Sequence, residues 1–459
     1  MTTLAYESHS LTPDRHRLDA IERIALGILT LGLLAMLAGL LFAKATTPEG
    51  TRAVWLTGAW SAVIGGGVLY GLRKHGRELP GIRNHGITTS SLTARGAIGW
   101  MFGVALTAFY VAIYWFPWTL TGWMRLHDPF SMALRGQPAD QWFVYGTFYS
   151  FAVLVMGVKA LAKYRHSRYQ IVRTCSIIVV QLSLGWLLPH FLAKIQQPEA
   201  YLSYFWPLAY EKLMPDKVAA LLATPGAFAK FCVVWFIAGT LILTPVLTYY
   251  FGKRWYCSWV CGCGGLANTA GDEWRQLSDK SLGAWKLERW MIHSVLAFIT
   301  ALTALLWCEP YFPASFKGTL YGVRLFYGFL IGSVFSGVVG VGFYPLLGTR
   351  AWCRFGCPMA AVLGILQKYF SRFRITTNGA QCISCGNCSK YCEMGIDVRW
   401  YAQRGQNVVR ASCVGCGLCA AVCPRGVLSL ENGPSENRVP DALSMLDESK
   451  SRSAARALE

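Results

Sequence analysis

The sequence predicts a polytopic α-helical membrane protein of about eight transmembrane helices that ends in a small α+β module. Two observations carry this. First, several runs near 20 residues are almost free of charge, in a chain of 459 residues that is 54% apolar and 15% charged, where soluble proteins carry about 25% charged residues. The mean hydropathy is +0.35. Such runs are long enough to cross a hydrocarbon core of about 30 Å, and lipid leaves their backbone groups no partner outside a helix. Second, the last apolar run is followed by a segment dense in cysteine, Cys382 to Cys423.

Taken in order, residues 1–20 form a polar segment with Arg15 and Arg17. No small-residue cleavage site closes the apolar run behind it, so an uncleaved anchor is expected. The predicted spans are 24–43, 53–72, 98–120, 141–162, 174–193, 229–251, 290–307 and 325–347. Positive charge alternates between the connecting loops. Arg73, Lys74, Arg77, Arg83 and Arg95 follow span 2; Lys163, Arg165, Arg168 and Arg173 follow span 4; Lys253, Arg254, Arg275, Lys280, Lys286 and Arg289 follow span 6. The other loops are poorer, so both termini are expected in the cytoplasm, with the chain in the cell (inner) membrane. The net charge of +19 has the same origin, and nucleic acid is not expected as a partner. The aromatic, Pro-rich loop 194–228 is expected along the outer interface. Gly332, Ser336 and Gly340 form a small-residue row for close packing in span 8. His190 and His293 are the histidines inside the predicted spans and are expected to face the bundle. The expected units are the segment 1–20, helices 1–5 with the outer loop (21–228), a duplicated hairpin region (229–375), the cysteine module (376–433) and a disordered tail (434–459).

The module reads Cys382-x2-Cys385-x2-Cys388-x3-Cys392, then Cys413-x2-Cys416-x2-Cys419-x3-Cys423-Pro424. This spacing is that of a ferredoxin-like domain with two [4Fe–4S] clusters, in which the fourth thiolate of each run serves the other cluster. Cluster A would take Cys382, Cys385, Cys388 and Cys423, and cluster B Cys413, Cys416, Cys419 and Cys392. Gly386, Gly415 and Gly417 let the loops wrap a compact cube. Zinc sites use four ligands in paired knuckles and not two runs of four, and a disulfide framework belongs to an oxidising compartment. One irregularity is that Glu393, not Pro, follows Cys392.

A second constellation precedes the module. Residues 252–261 (GKRWYCSWVC) align without gaps on 348–357 (GTRAWCRFGC). Each stretch follows a span, so spans 5–6 and 7–8 read as a duplicated hairpin. Positions i and i+4 share a helix face, so Cys257 with Cys261 and Cys353 with Cys357 are expected to present a four-thiolate site at the cytoplasmic surface. Three readings are open: a metal ion or additional cluster, a redox-active dithiol whose thiolates Arg254 and Arg350 favour, or buried packing thiols. Cys263 is an alternate ligand. Cys175, Cys232 and Cys308 have no partner at ligand spacing.

These residues resemble the membrane polyferredoxins of the NapH, NosR and CcoG type over about residues 229–430. The resemblance rests on the two Cys-x3-Cys motifs, the two-cluster run and the Gly-Ile-Asp-Val stretch at 395–398. Gly262 departs from the family's Pro after Cys261, whereas Pro358 keeps it. No flavin-attachment domain of the NosR kind and no immunoglobulin-like domain of the CcoG kind is expected, and the segment 267–275 is distinctive. The resemblance implies electron transfer between a cytoplasmic redox partner and a membrane partner or the quinone pool. The alternative is a copper-handling assembly factor, since soft thiolates select such ions. No catalytic residue, Walker loop or dinucleotide fingerprint is visible, so the chain reads as an electron-transfer subunit or accessory of an oxidoreductase system.

Overall fold

The computed structural model describes residues 18–77, 80, 91–378 and 381–433. The N-terminal expectations at Arg15 and Arg17, the basic residue Arg83 and the tail 434–459 lie outside the described residues.

Among the described residues, eight helices are long and apolar enough to cross a membrane: α1 (Ala20–Phe42), α2 (Glu49–Arg77), α3 (Ala97–Trp115), α4 (Gln141–Lys163), α5 (Arg168–Lys194), α6 (Ala227–Phe251), α7 (Leu282–Trp307) and α8 (Ala314–Gly342). The chain is a multi-pass membrane protein, as its apolar runs predict. α1 begins with a reciprocal cap, in which the Glu22 N–H donates to Asp19 and the Asp19 N–H to the Glu22 carboxylate. α1 and α2 then pack backbone to backbone. A Cβ on Gly32 would meet the Val63 nitrogen at 2.8 Å, and one on Gly66 the Leu29 nitrogen at 2.6 Å, the close approach that small residues allow between membrane helices.

Several bounds differ from expectation for local reasons. α3 stops at Trp115, because Pro117 opens a short 3₁₀ turn and cannot donate to a continuing helix. A further helix, Thr121–Arg135, packs on α1, α2, α4 and α5. α7 begins at Leu282, eight residues before the apolar run, with Ser281 as its cap; Lys286 and Arg289 extend it at the interface, where long basic side chains reach back to water. α8 ends at Gly342, not 347, and its last fifteen residues form widened π turns. In α8 the packing row is not the expected one. Gly337 sits against Tyr114 and Gly340 against Trp352, while Gly332 faces open space. His75 lies in α2 as a third membrane-helix histidine. His190 is buried, as expected, but His293 is exposed.

The C-terminal module is closed by two antiparallel strands, β1 (Phe373–Thr377) and β2 (Leu428–Asn432), paired from Phe373↔Asn432 to Thr377↔Leu428. They tie the start of the module to its end, giving the α+β character. The module packs on the bundle end where α2, α4 and α6 finish and α5 and α7 begin.

The loop 194–228 does not simply lie along the interface. Its Phe205 is 3% exposed and enters the bundle, so close to α6 that a Cβ on Gly239 would meet its ring at 2.0 Å.

Candidate functional site

The duplicated stretches fold alike but not as expected. Neither is one continuous helix. Cys257 ends the short helix Arg254–Cys257 and Cys261 caps the helix Gly262–Asn268. Cys353 lies in Ala351–Phe355 and Cys357 caps Pro358–Tyr369. In each copy a tight turn brings the second Cys back, its N–H donating to the carbonyl of Tyr256 (2.8 Å) or Trp352 (3.0 Å). Gly252 and Gly348 enter the two stretches at φ +64° and +84°, a region that glycine alone occupies at no steric cost.

These stretches also turn back into the bundle, so the cysteines are not at its surface. The Tyr149 hydroxyl donates to the Gly262 carbonyl (2.8 Å) and the Gln181 amide to the Val260 carbonyl (2.5 Å). Lys163, at the module end of α4, pairs with Asp272; Tyr149 lies fourteen residues deeper, about 21 Å along the helix. A Cβ on Gly262 would meet the hydroxyl of Tyr204, from the far-end loop, at 2.6 Å, the Gln181 oxygen at 3.1 Å and the Tyr149 hydroxyl at 3.2 Å. That explains why Gly stands where the second copy has Pro358. Cys257, Cys261, Cys353 and Cys357 are between 5% and 7% exposed and share one core cluster. Burial raises the Cys357 thiol, and Cys353, Cys257 and Cys261 add to the effect. Cys257 is pushed up to about 12 by burial. Cys261 is lowered to about 7, chiefly by a hydrogen bond from Cys263 and despite its burial.

The two aligned arginines have diverged. Arg350 lies 3.7 Å from the Cys353 sulfur, as a thiolate-favouring group should. Arg254 does not serve the thiols. Its guanidinium stacks on Phe373 (4.6 Å), Trp259 (5.4 Å) and Tyr169 (5.7 Å) and anchors the module.

In the module, Cys382, Cys385, Cys388 and Cys423 line one cavity. Cys413, Cys416 and Cys392 all act on the buried Cys419 thiol, whose value burial raises first. The loop of the second set packs against both Cys-x3-Cys stretches. The Ser258 hydroxyl donates to Val414 (2.7 Å), and the Gln367 amide donates to Arg410 and Cys413 (both 2.8 Å) while its oxygen accepts from the Lys253 N–H (2.7 Å). The first set lies farther out, with Cys385 exposed.

Glu393 is fully buried and forms ion pairs with Arg275 (2.5 Å) and Arg350 (2.9 Å). Asp272 holds Arg275 from the other side at 2.6 Å, and the Asn268 oxygen accepts from Arg173 (2.9 Å) and Arg350 (3.1 Å). Burial alone would raise the Glu393 carboxyl, but Arg350, Arg275 and Arg173 outweigh it and hold it below its ordinary value. The distinctive segment 267–275 is thus an internal clamp between the two cysteine sites. Sequence reasoning missed Gln181, Tyr149 and Gln367. A polar residue inside a membrane span, as Gln181 is, signals such a contact.

Cys175 and Cys308 are exposed, whereas Cys232 is buried in the same core cluster as the four Cys-x3-Cys cysteines. Among the described residues, no three His, Cys, Asp or Glu side chains are gathered as closely as a single metal ion requires. The module fits iron–sulfur clusters on its own chemistry. Each set is all sulfur, and the loops carry Gly386, Gly415 and Gly417 at positive φ, leaving backbone free to close around a cofactor.

Comparison with known proteins agrees. A 4Fe-4S dicluster domain matches residues 376–430, and a 4Fe-4S binding domain matches twice, at 234–283 and 329–377, in line with the duplication. The chain is similar to the electron transport protein YccM of Escherichia coli K12 (28% identical, 39% of this chain and 50% of YccM). It is also similar to the methylamine utilization ferredoxin-type protein MauN of Methylobacillus flagellatus (29%, 34% and 53%) and the ferredoxin-type protein NapH of Escherichia coli K12 (28%, 34% and 53%). The matches span about half the length of these curated relatives. No solved structure matches the chain. By its dicluster module and its repeated 4Fe-4S binding domain, the chain is similar to the NapH-type membrane polyferredoxins, and the module supports two [4Fe–4S] clusters.

Proposed function

We propose that the protein relays electrons between a cytoplasmic redox partner and a partner in the membrane or the quinone pool, through three cysteine sites in series. Cluster A would be held by Cys382, Cys385, Cys388 and Cys423, cluster B by Cys413, Cys416, Cys419 and Cys392, and a third redox group by Cys257, Cys261, Cys353 and Cys357. Iron–sulfur clusters supply one-electron transfer, and the chain sets their position and surroundings. The observation that carries the reading is the shared wall between the second and third sets: Ser258 and Gln367 bond the backbone of the Cys413 loop from both Cys-x3-Cys copies. The exposed side of Cys385 gives a soluble partner access, while Tyr149, Gln181 and Tyr204 seal the third site from water at membrane depth. Arg350, Arg275 and Arg173 surround the second and third sites with positive charge, which favours their reduced states. The module side faces the cytoplasm of the cell (inner) membrane, where basic loops are retained. The proposed units are those of the sequence, with residues 229–375 as the duplicated region. Copper handling has no specific observation in its favour.

The test replaces one cysteine in each copy, Cys257→Ser and Cys353→Ser, singly and together. Residues acting as a unit are non-additive, so the double variant should be little worse than either single one. All three should keep two reducible clusters yet lose electron exchange with membrane quinone or a membrane partner. Full exchange with all four cysteines changed to Ala would sink the role of this site. Loss of copper with electron exchange intact would favour the copper reading.

A further inference from the structure

One cavity borders this relay at Cys353 but holds none of its other cysteines. It holds about 210 Å³ and lies between the first turns of α7, the helix Pro358–Tyr369 and the strap 409–412 that leads into Cys413. Five of its lining side chains are basic: Lys253, Arg289, His293, Lys368 and Arg410. Its one carboxylate, Glu288, is already engaged by Arg354 at 2.9 Å. Trp285 stands among the cations, with the Arg289 guanidinium 4.4 Å and the Arg410 guanidinium 4.6 Å from its ring. Arg410 otherwise bonds the neutral Tyr401 hydroxyl, while Lys253 bonds the Ala411 carbonyl and also acts on the Cys257, Cys353 and Cys413 thiols.

A concave site with this excess of cations selects an anion. Two guanidiniums held against one indole present planar forks that match a phosphate. The setting decides the source. Tyr369 of the cavity wall is 66% exposed, and the chain neighbours of Arg289 and Tyr369, Trp290 and Phe370, are 78% and 64% exposed, rings of the kind that settle at a membrane interface. A ligand whose phosphate enters the cavity can lay acyl chains on these rings, and basic pockets at this level between membrane helices recognise anionic headgroups. A quinone head, being neutral, does not call for this charge.

We infer that the cavity binds the phosphate headgroup of an anionic phospholipid, with Arg289 and Arg410 as its grips and Lys253 and Lys368 as supporting charge. Because Cys353, Ala411 and Ser412 form part of the wall, the bound headgroup braces the strap between the second and third cysteine sites.

The full chain, purified in neutral detergent with its clusters, is titrated with phosphatidylglycerol, phosphatidylcholine or inorganic phosphate and examined by native mass spectrometry. Phosphatidylglycerol should be retained and phosphatidylcholine not. The variant Arg289→Gln with Arg410→Gln should weaken retention about tenfold or more with iron content unchanged. If that variant loses iron, Lys368→Gln, at an exposed position, should still weaken retention several-fold. Equal retention of the two lipids, or retention unaffected by these substitutions, overturns the inference. Displacement of the lipid by an equal concentration of inorganic phosphate assigns the site to free phosphate and overturns the lipid source. Competition by a short-chain quinone at similar concentration, surviving the arginine substitutions, assigns the cavity to a neutral ligand and overturns it as well.

Discussion

Glu393 shows how much one residue decides. The spacing of the cysteines around it was legible, because ligand chemistry requires fixed intervals. The consequence of Glu in place of Pro was not, because its partners Arg275 and Arg350 lie 118 residues before it and 43 positions before it in sequence. At 0% exposure on both sides of these pairs, Glu393→Gln leaves two guanidiniums with a neutral neighbour. Removing one partner of a buried pair costs about 3–5 kcal/mol. Thermal unfolding of the cluster-loaded protein should show a loss of that order, with bleaching of the second cluster preceding that of the first. An unchanged melting temperature would mean that Asp272 and Asn268 alone satisfy the arginines.

At the scale of elements, the eight membrane helices were readable from their apolar runs, since lipid permits little else. The re-entrant form of the Cys-x3-Cys stretches was not. An i, i+4 spacing reads the same in a continuous helix and in a helix broken by a turn, and the aligned Gly252 and Gly348 mark only the entry. Gly262 was the visible clue, noted as a departure but not as a contact. The Gly262→Pro variant, which restores the pattern of the second copy, should destabilise by about 1–3 kcal/mol through overpacking, because its Cβ would press on Tyr204, Gln181 and Tyr149. Adding Tyr204→Phe, which removes the nearest atom, should recover part of the loss in a thermal melt. No recovery would place the strain elsewhere.

For the whole molecule, charge asymmetry and the helix bundle together support the proposed orientation. The loops that carry Lys163 and Arg165, and Lys253 and Arg254, gather at the end that holds the module, and the loop 194–228 lies at the other. A reporter active only outside the cytoplasm should therefore work when inserted within 194–228 and stay silent after residue 163 or 264. A signal from a fusion after residue 433 would put the clusters in the wrong compartment.

The central claim is that thiolates of this chain hold redox iron–sulfur groups in one connected series. Iron and sulfide analysis of anaerobically prepared, reconstituted protein, combined with an EPR-monitored redox titration, tests it most directly. The account predicts about eight irons in two [4Fe–4S] signals, with any further iron or copper lost selectively in the Cys257→Ser and Cys353→Ser variants. Fewer than about eight irons, or a titration with a single cluster signal, would contradict it.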